Sequence, residues 1–299
     1  MSVQIRVLER DRTFTPLGIR FWDAALDLPV ADTLAVHAWR LGSAQGAVPA
    51  VRSPGGLYSF HRLPGQARAE KPAADDEHPE VSGPVGEYAI AVDDRTGKYL
   101  PVAFGVTLPL GYRGEFLSAG PGGPGRAYLF PAASRPVPPG VAAIRADLVD
   151  ADTGAPAAWA VLTATLAGQT RTAVADEQGR AAVLIPWPTP ERLRQGGSPP
   201  PDTRAATWEV SLAVRWEPAA LRYPFPAREG LDPAWAARPS LKSILDEQRT
   251  ALVWTDEGQA PAAEWTETLV HGEELVLRTT LAGGGRAPAV WISAGASPP

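Results

Sequence analysis

The sequence predicts an all-β protein of tandem β-sandwich modules, with Pro/Gly-rich linkers and one short helix. Three observations predict it. Apolar residues alternate with polar ones over much of the chain, the period of a half-buried strand. The 29 Gly and 32 Pro fall between these alternating segments, and Pro is excluded from helix interiors because it lacks an N–H and clashes with the preceding turn. One order of strand, Asp turn, Pro and strand is also written twice, the mark of a repeated supersecondary unit. A chain of 299 residues has room for two domains. With no Cys, packing alone must hold it, and ten Trp supply much of the material.

The elements follow in order. Val3, Ile5 and Val7 alternate as a first strand. Ile19–Asp23 leads through a turn to a strand over Thr33–Trp39, and the turn at 53–56 opens Leu57–Leu63. Residues 66–86 are polar and predict a long exposed loop. Alternation resumes at Tyr88, Ile90 and Val92, and the Asp93-Asp94-Arg95-Thr96-Gly97 corner returns the chain as a strand over Tyr99–Leu108. Between Gly/Pro segments lies a short strand at Ala127–Phe130.

The second copy then begins. Ile144–Asp150 precedes Pro156 and a strand over Trp159–Thr165, and Asp150 stands as far before Pro156 as Asp23 does before Pro29. Gly179 opens Arg180–Ile185, closed by Pro186, as Gly56 opens the strand closed by Pro64. Residues 192–203 read as a linker. Trp208, Val210, Leu212, Val214 and Trp216 share one face of the next strand, a core face. Ser240 stands as N-cap to a helix near 240–248, with Leu241, Ile244 and Leu245 on one side. Strands follow near Thr250–Trp254, Leu275–Leu281 and Ala289–Ser293. The boundary falls near 135–140, giving an N-terminal module over 1–135 with the loop 66–86, and a C-terminal module over 136–299 with a Trp-rich extension and the helix.

The stretch Asp150-Ala151-Asp152-Thr153-Gly154-Ala155-Pro156, followed by Asp176-Glu177-Gln178-Gly179-Arg180, resembles the carboxypeptidase regulatory-like (transthyretin-like) sandwich. Gly56–Phe60 and Leu63-Pro64-Gly65 carry a looser likeness to the same family. The resemblance implies a transthyretin/Ig-like module used as a spacer or binding platform. The wider arrangement is similar to proteins encoded beside phage-tail-like contractile injection systems, on Val92–Val102, Asp176–Pro186, Leu241–Leu245 and Glu273–Arg278. That likeness implies a virion-like structural or accessory part of a particle.

Lys plus Arg number 28 against 33 Asp plus Glu, a net charge of −5 with no basic block, so nucleic acid is not an expected partner. Charged residues make up 20% and apolar ones 44%, the reverse of a disordered chain. No apolar run reaches the roughly 18 residues that span a bilayer, so no membrane insertion is expected. Met1–Arg10 is charged and alternating rather than a signal peptide. The expectation is synthesis in the cytoplasm, with extracellular display only as part of a released particle.

The chemistry-bearing residue types do not form a reaction centre in this pattern. His271 and Glu274 have a zinc-protease spacing, but His271 is the last of four His and no later imidazole completes the ligands. Asp75-Asp76-Glu77-His78 lacks the alternate spacing and Gly of a calcium loop. Asp150, Asp152, Asp176 and Glu177 could converge on calcium, or simply bond their own turns. Gly120–Gly125 and Gly283-Gly284-Gly285-Arg286 lack the Lys and hydroxyl of a phosphate cradle. Ser53, Ser59 and His61 form no nucleophile elbow. The expectation is no enzyme, no catalytic or metal residue and no cofactor.

Seven of the ten Trp follow residue 186, at 187, 208, 216, 235, 254, 265 and 291. Trp208 and Trp216 read as core. Trp235, in a Pro-rich stretch, reads as either core or a partner surface. The expected role is a structural component holding other subunits of a large assembly, with Pro/Gly segments draped over neighbours and strand addition as a docking mode. The alternative is a fibre-like module that binds a glycan or cell-surface target through exposed aromatics.

Overall fold

A computed structural model describes residues 14–71, 84–108, 127–188 and 206–295. The expected first strand at Val3–Val7, the acidic stretch 75–78, the Gly run 120–125 and the linker 192–203 lie outside the described residues. Of the described residues, 46% are strand and 7% helix, so the fold is all-β.

The N-terminal half contains β1 (Leu17–Asp23), β2 (Leu28–Pro29), β3 (Ala35–Arg40), β4 (Val48–Pro49), β5 (Val51–Arg52), β6 (Leu57–Phe60), the single-turn helix α1 (Ala67–Glu70), β7 (Gly86–Asp93), β8 (Val102–Leu108) and β9 (Ala127–Leu129). One sheet has the order β2-β1-β6-β5, with β9 parallel to β1, and the other has β4-β3-β7-β8. The C-terminal half contains β10 (Val141–Asp150), β11 (Val161–Leu166), β12 (Gln169–Val174), β13 (Arg180–Pro186) and β14 (Thr207–Arg215). It continues with α2 (Pro233–Ala236), α3 (Leu241–Asp246), β15 (Ala251–Trp254), β16 (Glu264–Val270), β17 (Leu275–Leu277) and β18 (Val290–Ala294). Its sheets have the orders β13-β10-β18-β15, with β17 also on β10, and β12-β11-β14-β16.

The two halves share one pairing plan, down to the register. Trp22, the residue before Asp23, faces Pro29, and Val149, the residue before Asp150, faces Pro156. β6 lies antiparallel to β1 as β13 does to β10, and each of these first strands also takes a parallel partner late in its half. β4-β3-β7-β8 corresponds in order and direction to β12-β11-β14-β16.

Residues 217–249 depart from the plan. Between β14 and β15 the chain crosses to the N-terminal sandwich and straps its outer face. Phe225, Leu231 and Trp235 pack there on Trp39, Ala89, Ala91 and Ala103. This explains why β7 is buried on both faces although it is antiparallel. Tyr88, Ile90 and Val92 fill the inner core, and the small Ala89 and Ala91 admit the strap. α3 then sends Leu241, Ile244 and Leu245 into the core of the N-terminal sandwich. Trp159, Val161 and Val174 of the C-terminal half enter that same core. Ala25 also packs against Ala143 and Leu184. The halves are therefore joined by apolar packing as well as by sequence.

Several expectations need correction. The Pro-rich stretch, expected as part of an extension of the C-terminal module, packs on this chain's own first sandwich. The loop 66–86 is not wholly exposed: α1 forms a turn there, and Gln66 and Ala69 are buried. The strand from Leu57 ends at Phe60, because Arg62 turns left-handed at φ 58°. The strand from Leu275 ends at Leu277, since the chain leaves the ladder so that the Thr279 hydroxyl can bond Trp254 and Trp291. β12 and β16 give no clear sequence signal. Both are sheet-edge strands with exposed polar positions, and only β11 and β14 beside them carry the full apolar alternation.

Candidate functional site

The candidate residues that lie among the described ones are put to local use. His271 clusters with Trp187 and Trp208, its ring centroid 4.8 and 5.8 Å from theirs and the three rings tilted to one another, while Glu274 pairs with Arg145 at 3.2 Å. Asp150 accepts from the Thr153 hydroxyl and the Asp152 amide. Asp176 accepts from the amides of Gln178 and Arg180 and from the Arg180 guanidinium, both backbone bonds at 2.9 Å. The burial-opposed attraction of Asp176 raises the pKa of Arg180, with the hydrogen bond between them as the largest cause. Among the described residues no three His, Asp or Glu gather as a metal site. Ser53 accepts from the Leu57 amide, and His61 lies 3.3 Å from Glu70. Gly283–Arg286 form a hairpin turn in which Gly284 takes φ 81°.

Trp216 is buried in the C-terminal core, and Trp208, Trp187 and Trp265 are half-buried against it. Trp254 and Trp291 face each other across β15 and β18. Trp235 is 7% exposed and donates through its indole N–H to Asp93 at 3.2 Å. It belongs to the packed strap and offers no partner surface.

A dense polar network ties the end of β1 in the N-terminal sandwich to the segment that leads out of it toward the second half. Asp23 closes its own turn by accepting from the Ala25 and Leu26 amides. Its other oxygen takes the Tyr99 hydroxyl at 3.0 Å and the Arg135 guanidinium at 2.6 Å. Arg135 is 1% exposed and its guanidinium lies 5.1 Å from the centre of the Tyr99 ring. Burial, then the neighbouring Asp23 charge, pushes the Tyr99 hydroxyl pKa well above its ordinary value. Beyond it, Asp94 accepts from Thr96, Lys98 and Tyr99. Burial opposes the Asp94 charge, but these hydrogen bonds outweigh it and hold the carboxyl below the usual carboxylate range.

Next to this network a cleft of about 320 Å³ opens between the halves. It is lined by Asp94, Gly97, Tyr99 and the segment around Ser134 from the N-terminal half, by Trp159, Asp176–Gln178 and Arg180 from the C-terminal half, and by Arg238 of the strap. Cavities of this size at domain junctions are common small-molecule sites. Arg238 is 8% exposed; its Nη2 pairs with Asp93 at 2.7 Å, and its Nη1 has no partner. Trp159 takes φ 62°, a costly conformation for a bulky side chain. It persists because the ring is buried in the shared core and the carbonyl accepts from Gln248 at 2.9 Å.

Sequence reasoning missed Trp159, Arg238 and the Asp23–Arg135 pair. The pair is 112 residues apart, and no local pattern marks it. A signal for the strap was present in retrospect: small residues at 89, 91 and 103 alternate with large ones, leaving room on the second face of the sheet. No protein-family model matches this chain, and no curated protein matches it.

Proposed function

We propose that this chain is a non-catalytic structural or accessory component of a multi-subunit assembly, of the phage-tail-like contractile injection kind. The observation that supports this reading is the strap 217–249, which runs from the C-terminal sandwich over the N-terminal one and back. Inter-domain contacts within a chain allow relative motion unless they are large and apolar. Here Trp159, Val161 and Val174 and the α3 residues join the first sandwich's own core, so two sandwiches act as one body. A body of fixed length and fixed angle suits a part that holds neighbours at set spacing. Among the described residues, the polar groups singled out in the sequence are engaged in turns, ring contacts and ion pairs, consistent with the same role.

The test is to tag the chain in its native host and separate contractile particles from soluble protein by sedimentation. Mass spectrometry should find the chain in the particle fraction at constant ratio to the sheath subunit. Recovery only in the low-mass fraction removes the reading.

A further inference from the structure

We propose that the open edge of β16 takes Val3–Val7 of a second copy of this chain as an added strand, so that copies join head to tail. This goes beyond the assembly reading, because it concerns this chain alone and needs no other subunit. The site is made of backbone. The His271 amide donates to the Ala206 carbonyl, directly opposite it as the β14–β16 register continues. In an antiparallel ladder every second residue bonds the same neighbour, so the N–H and C=O groups of Trp265, Glu267 and Leu269 face β14. Those of Thr266 and Thr268 point the other way. Both residues are exposed and have no backbone partner on that side among the described residues. β15 covers this edge only at Ala262, through Val253. The ladder runs from Thr207 and Val270 to Ala213 and Glu264 without a bulge, and β16 holds neither Pro nor Lys, two common means of blunting an edge. β8, at the matching place in the N-terminal half, is met at Ala103 by Ser240 ahead of α3.

Pattern, charge and reach name the occupant. An added strand has two rows of side chains. Val3, Ile5 and Val7 suit the inner row, beside Trp265 and Leu269, which pack on the C-terminal core. Gln4 and Arg6 then lie in the outer row, with Glu264, Thr266 and Thr268. Glu267 shares the inner row, and an inward charge of this kind refuses strands in general. Residues 255–277 hold six carboxylates and no Lys or Arg, whereas Val3–Val7 hold Arg6 and no carboxylate. Reach decides which copy supplies the strand. Leu17 stands six residues before Asp23, about 20 Å from the end of β1 that meets the C-terminal half near Ala25. Val161 and Val174 enter the N-terminal core, and Thr268 lies six residues further along the ladder from their row, about another 20 Å away from the junction. Residues 8–13 span about 25 Å at most, too little to carry Val3–Val7 to β16 of the same molecule. The contact is therefore between two different surfaces of two copies, and such a contact repeats into a chain.

The test is sedimentation velocity of the full chain from about 1 to about 500 μM, the span in which an interface as small as one added strand acts. The mean mass should rise with concentration, with a Kd of roughly 10–100 μM. Thr268→Pro deletes the N–H that faces the open edge and leaves the bonds to β14 in place. Ile5→Asp puts a charge into the inner row of the donor strand. Each should weaken association by about tenfold or more. Mixed in equal amounts, the two variants should form a dimer and nothing larger, because one still offers an edge and the other still offers a strand. A peptide of residues 1–12 in excess should return the unaltered chain to monomer, and the same peptide with Ile5→Asp should not, a readout that does not depend on how Thr268→Pro folds. A chain that stays monomeric over the whole range overturns the proposal. So does association that Ile5→Asp leaves intact, a mixture of folded variants that stays monomeric, or a peptide without effect.

Discussion

Asp23 and Arg135 are opposite charges that are 3% and 1% exposed, and they meet at 2.6 Å. Two ions so deep in the protein gain little net stability as a pair, but either one alone is costly. Arg135→Met should therefore cost about 3–5 kcal/mol in urea unfolding, since it leaves the Asp23 carboxylate without its cation. The Asp23→Asn change on top of it should recover part of that loss, because the amide needs no counter-charge yet still accepts from the Ala25 and Leu26 amides. A double-mutant cycle measures the coupling. Asp94 provides a pH signature. Its folded pKa is depressed relative to the unfolded chain, so its contribution is present above about pH 4, the ordinary carboxylate value, and fades as pH falls through the lower folded value. Asp94→Asn should flatten that part of the acid limb, read as urea midpoints measured from pH 6 down to pH 2.

Turns between strands show which glycines the fold requires. Gly154 and Gly179 both take positive φ, at 71° and 77°, and each ends a turn that an Asp opens, Asp150 and Asp176. They differ in surroundings. A Cβ at Gly154 meets nothing, whereas one at Gly179 would collide with the Leu148 carbonyl oxygen, which lies against the β13 turn. Gly154→Ala should cost about 1 kcal/mol, the left-handed penalty alone. Gly179→Ala should cost about 3 kcal/mol, since β10 must also move. Thermal melts of the two variants check the difference. The strands themselves divide by the same logic of surroundings. β14 was legible because Val210, Leu212 and Val214 alternate into one core. β16, its neighbour, buries mainly Leu269 and exposes Glu264, Thr266 and Thr268, so its place came from backbone pairing to β14 rather than from its own pattern.

At the scale of the molecule, the strap decides whether two sandwiches behave as two domains or one. Trp235 is its anchor, packed with Phe225 and Leu231 over Trp39 and bonded to Asp93. Trp235→Ala should cost about 3–5 kcal/mol, the usual loss for a buried Trp. It should also free residues 217–239 for early proteolytic cleavage, with the sandwich cores cut later. Limited proteolysis followed by mass spectrometry gives both the order and the sites. Equal cutting in the wild type and the variant would mean that the strap is not held by this residue.

What the sequence determined by itself was local. Period-two patterning set nearly every core strand, and Gly, Asp and Pro set the corners, because side-chain direction and backbone φ are properties of a few adjacent residues. The duplicated order of those signals already contained the shared pairing plan, with Pro29 and Pro156 at equivalent positions in their ladders. Only the tertiary structure decided the strap, the Asp23–Arg135 pair and the cleft. Each joins residues far apart along the chain, and a charge or an aromatic ring looks the same in sequence whether its partner lies across a turn or across the molecule.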